Sequence, residues 1–179
     1  RLAYSTISQL SYITLGGALA SSMANQGAAL HIVTYAAGKI TLFFVAGAIY
    51  VGAKLSKISE LNGQGKSMPL IFIAFFIGSL SIIGVPPMGG SWSKFFLMLG
   101  AAESGYFFVI AVFCVSTILN VYYLLEIPAR AFFFKKEKQI TPKIPVLITI
   151  PTLMTCFLTI LLFFFIEPFQ NLASLMVSK

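Results

Sequence analysis

Three side chains able to bind or exchange a proton, His31, Tyr35 and Lys39, follow one another at intervals of four within the run Gly27 to Ala53. On a helix that spacing sets them along one face over roughly 12 Å. The run is otherwise almost uncharged and long enough to cross a bilayer, which puts Lys39 at membrane depth. A cation there costs about 2.5–3.5 kcal/mol on insertion scales and is rarely kept without a task. A lysine near a helix end can extend its amine to the headgroups, a reading that Lys94 admits more readily than the deeper Lys39. An amine held away from water can gain and lose its proton as its hydration or neighbours change, and histidine does so near neutral pH. A row of such groups, joined by water and by the hydroxyls of Thr34, Tyr35 and Ser93, has the chemistry of proton transfer across a membrane. The plainer alternative for His31 is a satisfied packing histidine.

Composition states what must hold these groups. Hydrophobic residues form 58% of the 179 residues and charged ones 9%, with a mean hydropathy of +0.93. Those values lie far from a soluble domain and identify an all-α integral membrane protein. Net charge is +7 and the basic side chains fall between apolar runs. They read as orientation signal and lipid contact, and nucleic-acid binding is excluded because no soluble patch exists to hold a duplex. Cys114 and Cys156 fall in apolar runs and read as packing residues. The chain opens abruptly at Arg1, as a piece of something longer would.

Six apolar segments follow one another. The first, about Ala3 to Ser22, places Ser5, Ser8, Gln9 and Tyr12 on one face, as a helix with a wet side would. The second, Gly27 to Ala53, follows a short break at Ala24-Asn25-Gln26-Gly27. After the polar loop Lys54 to Ser67, the third ends near Gly84, where Gly84-Val85-Pro86-Pro87-Met88-Gly89-Gly90 must interrupt a helix. The fourth, about Ser91 to Ala102, is shorter than the roughly 20 residues of a full crossing and reads either as half of a discontinuous helix or as a tilted, partly shielded one. The fifth runs from about Gly105 to Phe134 and the sixth from about Val146 to Phe165, across a loop holding Arg130, Lys135, Lys136, Lys138 and Lys143. Backbone groups in lipid must pair internally, so these are helices in one bundle, discontinuous near Gly84-Gly90; the alternation of a barrel is absent. Six full crossings put the two basic loops on opposite faces, five put them together, and charge counting favours five. Glu126 and Arg130, four apart across Pro128, read as an ion pair at the membrane boundary, while Glu60 and Glu103 read as loop charges. Irregular backbone beside Lys94 survives only if buried in protein or lining a cavity, which makes Lys94 with Ser93 a second polar point on the axis.

These residues resemble a family. Arg1-Leu2-Ala3-Tyr4-Ser5-Thr6-Ile7-Ser8-Gln9 is similar to the K-R-x-L-A-Y-S-[ST]-x-S-Q signature of antiporter-like subunits of respiratory complex I (NADH-quinone oxidoreductase) and multisubunit cation/proton antiporters. His31-Ile32-Val33-Thr34-Tyr35-Ala36-Ala37-Gly38-Lys39 resembles their H-x-x-[NT]-H-A-x-x-K, and Gly84 to Lys94 follows in the same order. Details such as Gly90-Ser91-Trp92-Ser93-Lys94 are most similar to the D-type subunits of the cation/proton antiporters. The resemblance implies that residues 1–179 form a single membrane domain, the second inverted-repeat half of a larger fold. It implies that Lys39 is the buried lysine of a central hydrophilic axis, His31 its relay neighbour and Lys94 the ionisable group on the discontinuous helix. Tyr35 stands where the family usually has a second histidine; with an ordinary pKa near 10 it can hold a water wire rather than carry charge.

The expected function is a subunit that conducts protons, or exchanges them for a monovalent cation such as Na⁺, in the cell inner (plasma) membrane with other membrane subunits as partners. No quinone, flavin, iron–sulfur or nucleotide motif appears, so no cofactor is expected and redox chemistry falls to the partners. Within an NADH-quinone oxidoreductase the chain would be an ion-translocating part. The competing expectation is a truncated half with only a structural, assembly role.

Overall fold

A computed structural model describes residues 1–135 and 141–177. These residues form seven helices: α1 Leu2–Ala18, α2 Ser22–Ala53, α3 Pro69–Ile83, α4 Gly90–Glu103, α5 Phe107–Phe133, α6 Val146–Phe164 and α7 Glu167–Val177. No strand occurs among the described residues, and α2, α5 and α6 are long and apolar enough to cross a membrane. The protein is an all-helical membrane bundle.

The 32-residue α2 is its axle. Ser21 caps its first turn, accepting the Ala24 N–H at 3.1 Å, and Lys54 ends it in the left-handed region with φ 57. The expected break at 24–27 is therefore continuous helix. Polar Asn25 and Gln26 suggested a loop, but the small residues beside them serve close packing: Ala24 lies against Gly100, and Gly27 against Leu97.

Contacts along α2 fix how the third and fourth segments relate. Gly78 meets Thr41 and Leu42, Ser81 and Ile82 meet Gly38, Leu97 meets Gly27, and Gly100 meets Ala24. Numbers rising along α3 and α4 meet numbers falling along α2, so the two short helices lie end to end in one broken column antiparallel to it. The six apolar segments thus form five columns. Both basic loops accordingly sit at one end, as three contacts show: the Gly63 N–H donates to Arg130 O at 3.1 Å, Gly65 lies on Ala131 and Phe132, and the Lys143 N–H donates to Gly52 O at 3.1 Å. Lys136 and Lys138 of the expected basic loop lie outside the described residues.

The break between α3 and α4 is paired inside protein, as lipid requires. Gly84 turns the chain with φ +88 and the Pro86-Pro87 bond is cis. The Gly89 N–H donates to Thr159 O at 3.0 Å and the Trp92 indole N–H to Phe163 O at 3.0 Å, both on α6. Across the gap, a Cβ on Gly90 would stand 1.9 Å from Ser81 O. Gly90→Ala is therefore expected to force the half-helices apart and destabilise the protein by about 1–3 kcal/mol, the usual cost of overpacking. Thermal unfolding in detergent checks this; an unchanged midpoint would contradict the packing.

On the polar face of α1, Ser5, Gln9 and Tyr12 are buried against matching side chains of other columns, while Ser8 is half-buried and lines with Ser5 a cavity of about 510 Å³. One further expectation changes. Cys114 is exposed on α5 rather than packed, whereas Cys156 is buried. α7 was not foreseen after the last apolar run; it packs on α2, with Ala173 buried on it and Ile166 buried at its start.

Candidate functional site

His31, Thr34 and Ser93 form one buried cluster where α2 passes the start of α4. His31 Nδ1 lies 2.9 Å from Ser93 Oγ, and Thr34 Oγ1 lies 3.2 Å from the same oxygen. The spacing of three on α2 turns His31 and Thr34 toward α4, while Ser93 sits one turn past the break and donates to Gly90 O at 3.0 Å. With its hydrogen so engaged, Ser93 accepts from His31 Nδ1–H, which leaves His31 Nε2 as the lone-pair nitrogen. That atom is buried without a hydrogen-bond partner among the described residues.

Lys39 is 4% exposed and donates to Ser5 Oγ of α1 at 2.7 Å. Its amine also stands 5.9 Å from the Tyr35 ring centre, and Tyr35 stacks on His31 with centroids 5.9 Å apart at 18°. The predicted stripe is present, but Tyr35 joins its neighbours through ring faces. Tyr35→Phe is thus expected to keep transport close to the unsubstituted level and Tyr35→Ala to lower it, because the ring supports the lysine. Vesicle flux measurements separate the two; a large loss in Tyr35→Phe would make the hydroxyl the working group.

Lys94, 6% exposed, donates to Ile83 O at 2.9 Å and lies 5.1 Å from the Tyr12 ring centre. It thereby holds the last turn of α3, where a cation meets the negative end of a helix. A cavity of about 530 Å³ opens beside it, walled by Pro86, Trp92, Phe95 and Phe163. Neither lysine has a carboxylate partner among the described residues.

Sequence pattern alone found α5 as a helix but missed its polar contribution. Asn120 is buried, receives the Gln9 amide N–H at 3.4 Å and donates to the Tyr12 hydroxyl at 3.5 Å. Tyr123 lies within donating reach of Asn120 Oδ1 and, at 2.8 Å, of Ser5 Oγ; Tyr12 donates to Ser116. The signal lay in the i, i+3 pair Asn120 and Tyr123 on an apolar helix, and neither is ionised at neutral pH. Toward the end of α5, Glu126 takes Arg130 Nε at 2.8 Å on one oxygen and Arg1 on the other, the anticipated boundary pair with a second cation.

Residues 1–120 match the family described as NADH:quinone oxidoreductase/Mrp antiporter, TM. The chain is 39% identical over 131 residues to the N-type subunit of NADH-quinone oxidoreductase from Desulforudis audaxviator, covering 73% of this chain and 26% of that protein. It is 31% identical over 170 residues to the D-type subunit of the Na⁺/H⁺ antiporter from Alkalihalophilus pseudofirmus, covering 93% and 34%. It thus spans about a third or less of these relatives' lengths. In fold it is similar to a chain of the Mrp complex from Dietzia sp., with a TM-score of 0.90 at 22% identity over 99% of this chain and 41% of that one. A chain of Thermus thermophilus respiratory complex I gives 0.81 at 22% identity over 99% and 38%. With the motif order, the broken column beside Lys94 and these matches in agreement, the chain belongs to the NADH:quinone oxidoreductase/Mrp antiporter membrane family.

Proposed function

We propose that this chain is the second-repeat part of a membrane subunit that moves protons through Lys39, His31 and Lys94, with Thr34, Ser93 and Tyr35 supporting them. The observation that carries the reading is the setting of the two lysines. Each amine is almost wholly buried and held by neutral groups, Lys39 by Ser5 Oγ and the Tyr35 ring, Lys94 by Ile83 O and the Tyr12 ring. An ammonium so held can switch between charged and neutral forms without breaking an ion pair, whereas one locked to a carboxylate cannot. Protons pass stepwise between the lysines as charge or conformation changes elsewhere in the assembly, in exchange for a monovalent cation such as Na⁺.

Partner membrane subunits supply the driving reaction, as the names of the relatives suggest. The shared end of the two basic loops, with Lys54, Lys57, Lys66, Arg130, Lys135 and Lys143, supports placing that end on the cytoplasmic side of the cell inner membrane. The test is proton flux into vesicles carrying the assembled complex, read with an enclosed pH-sensitive dye. Driven acidification with the natural sequence and none with Lys39→Ala is expected; equal flux in both would count against the proposal.

A further inference from the structure

Along α2, hydrogen-bonded continuity from Lys39 stops at once, because Lys39 meets the face of Tyr35 and Tyr35 the face of His31. Ring faces do not pass hydrogen bonds along a chain. A second route leaves the same amine and stays hydrogen-bonded: Lys39 Nζ to Ser5 Oγ, Ser5 Oγ to the Tyr123 hydroxyl, Tyr123 to Asn120, and Asn120 to the Tyr12 hydroxyl. Its far end is the ring under the Lys94 amine, which also meets His31 edge-on at 5.6 Å. The route runs over α1 and α5 as far as the Tyr12 hydroxyl, and the last step to Lys94 is again a ring-face contact.

Within it one hydrogen has two acceptors. A tyrosine carries a single hydroxyl hydrogen, yet Tyr123 stands within donating distance of both Ser5 Oγ and Asn120 Oδ1. When Lys39 is charged it donates to Ser5, Ser5 turns its own hydrogen to Tyr123, and Tyr123 donates to Asn120. When Lys39 is neutral it accepts from Ser5, whose oxygen then takes the Tyr123 hydrogen, and Asn120 Oδ1 keeps only the Gln9 amide. The reversal ends at Asn120, because an amide oxygen cannot donate. No covalent bond changes; hydroxyl hydrogens rotate. The groups facing the Lys39 amine are Ser5 from α1 and Tyr35 from its own helix, with Tyr123 from α5 behind Ser5, and none of them is a carboxylate.

We propose that Tyr123 and Asn120 of α5 are positioning residues of the proton pathway, and that the Tyr123 hydroxyl turns between Ser5 and Asn120 with the charge of Lys39. The inference rests on the proposed role of Lys39. It is tested in the full-length protein within its assembly, with Tyr123→Phe, Ser5→Ala and Lys39→Met. Each of the first two is expected to lower driven proton flux by roughly 5- to 150-fold, the usual span of coupling between two sites. In the natural sequence with ring-labelled tyrosine, the infrared difference spectrum between mildly acidic and mildly alkaline buffer, below the range in which exposed tyrosines ionise, should contain a shifted tyrosine C–O band. That shift should vanish in Tyr123→Phe and equally in Lys39→Met, which keeps the tyrosine; a structural role for Tyr123 would leave it untouched in Lys39→Met. Full flux in assembled Tyr123→Phe, or the same band shift in Lys39→Met, overturns the inference. If Tyr123→Phe does not assemble, Ser5→Ala decides by the same two readings. Lys39→Met with full flux would instead overturn the proposed function, so the two failures are distinguishable.

Discussion

Lys39→Ala is expected to reduce driven proton flux to background while the protein still assembles with its partners. The alanine removes a cation whose hydrogen-bond partner is the Ser5 hydroxyl, and Ser5 keeps Tyr123 as a partner. No carboxylate is stranded, so the large penalty for an uncompensated buried charge does not arise. Truncation leaves a cavity, but removing a desolvated charge offsets part of that cost, so stability changes little. Lys39→Arg sharpens the result: guanidinium keeps the charge and donors but does not release its proton in proteins. If the lysine works by exchanging a proton, arginine fails as fully as alanine; if it only places a positive charge, arginine restores flux. Co-purification of partner subunits with flux in vesicles gives both readings.

Lys94 is expected to behave differently, because its amine has a structural duty as well. Lys94→Ala should abolish flux and also lower stability by about 1–3 kcal/mol, the cost of leaving a buried carbonyl without its donor. The carbonyl is Ile83 O, at the end of α3, and the Lys94 stem also packs on Gly84. Lys94→Arg keeps a donor in reach of that carbonyl and should recover most of the stability with no flux. A melting curve beside the flux assay shows the split. Full stability in Lys94→Ala would mean that Ile83 O finds another partner and that the lysine does not hold the break together.

Much of this was legible in the residues. Apolar runs of bilayer length gave the helices, the Pro-Pro and Gly-Gly pairs gave the break, and a spacing of four gave the stripe on α2. What failed to show were relations between columns. Asn25 and Gln26 are polar, yet tight packing of Ala24 and Gly27 on α4 carries the helix through them. The polar face of α1 was visible, but its match on α5 was not, because Asn120 and Tyr123 stand singly among apolar residues and carry no charge. Charge counting leaned toward five crossings, and contacts such as the Gly63 N–H to Arg130 O place both basic loops together. α7 escaped notice because it is a short amphipathic helix beyond the last membrane-length run.

The bond from Lys94 to Ile83 O spans the interruption in a column otherwise made of two stiff rods, whose other ties there go sideways to α6. While the amine is charged, the negative end of the upstream rod adds attraction to that bond; once it is neutral, an ordinary hydrogen bond remains. Under the proposed role of Lys94, the joint would stiffen and slacken with occupancy by a single proton, so that an electrical event alters how far two half-rods can flex.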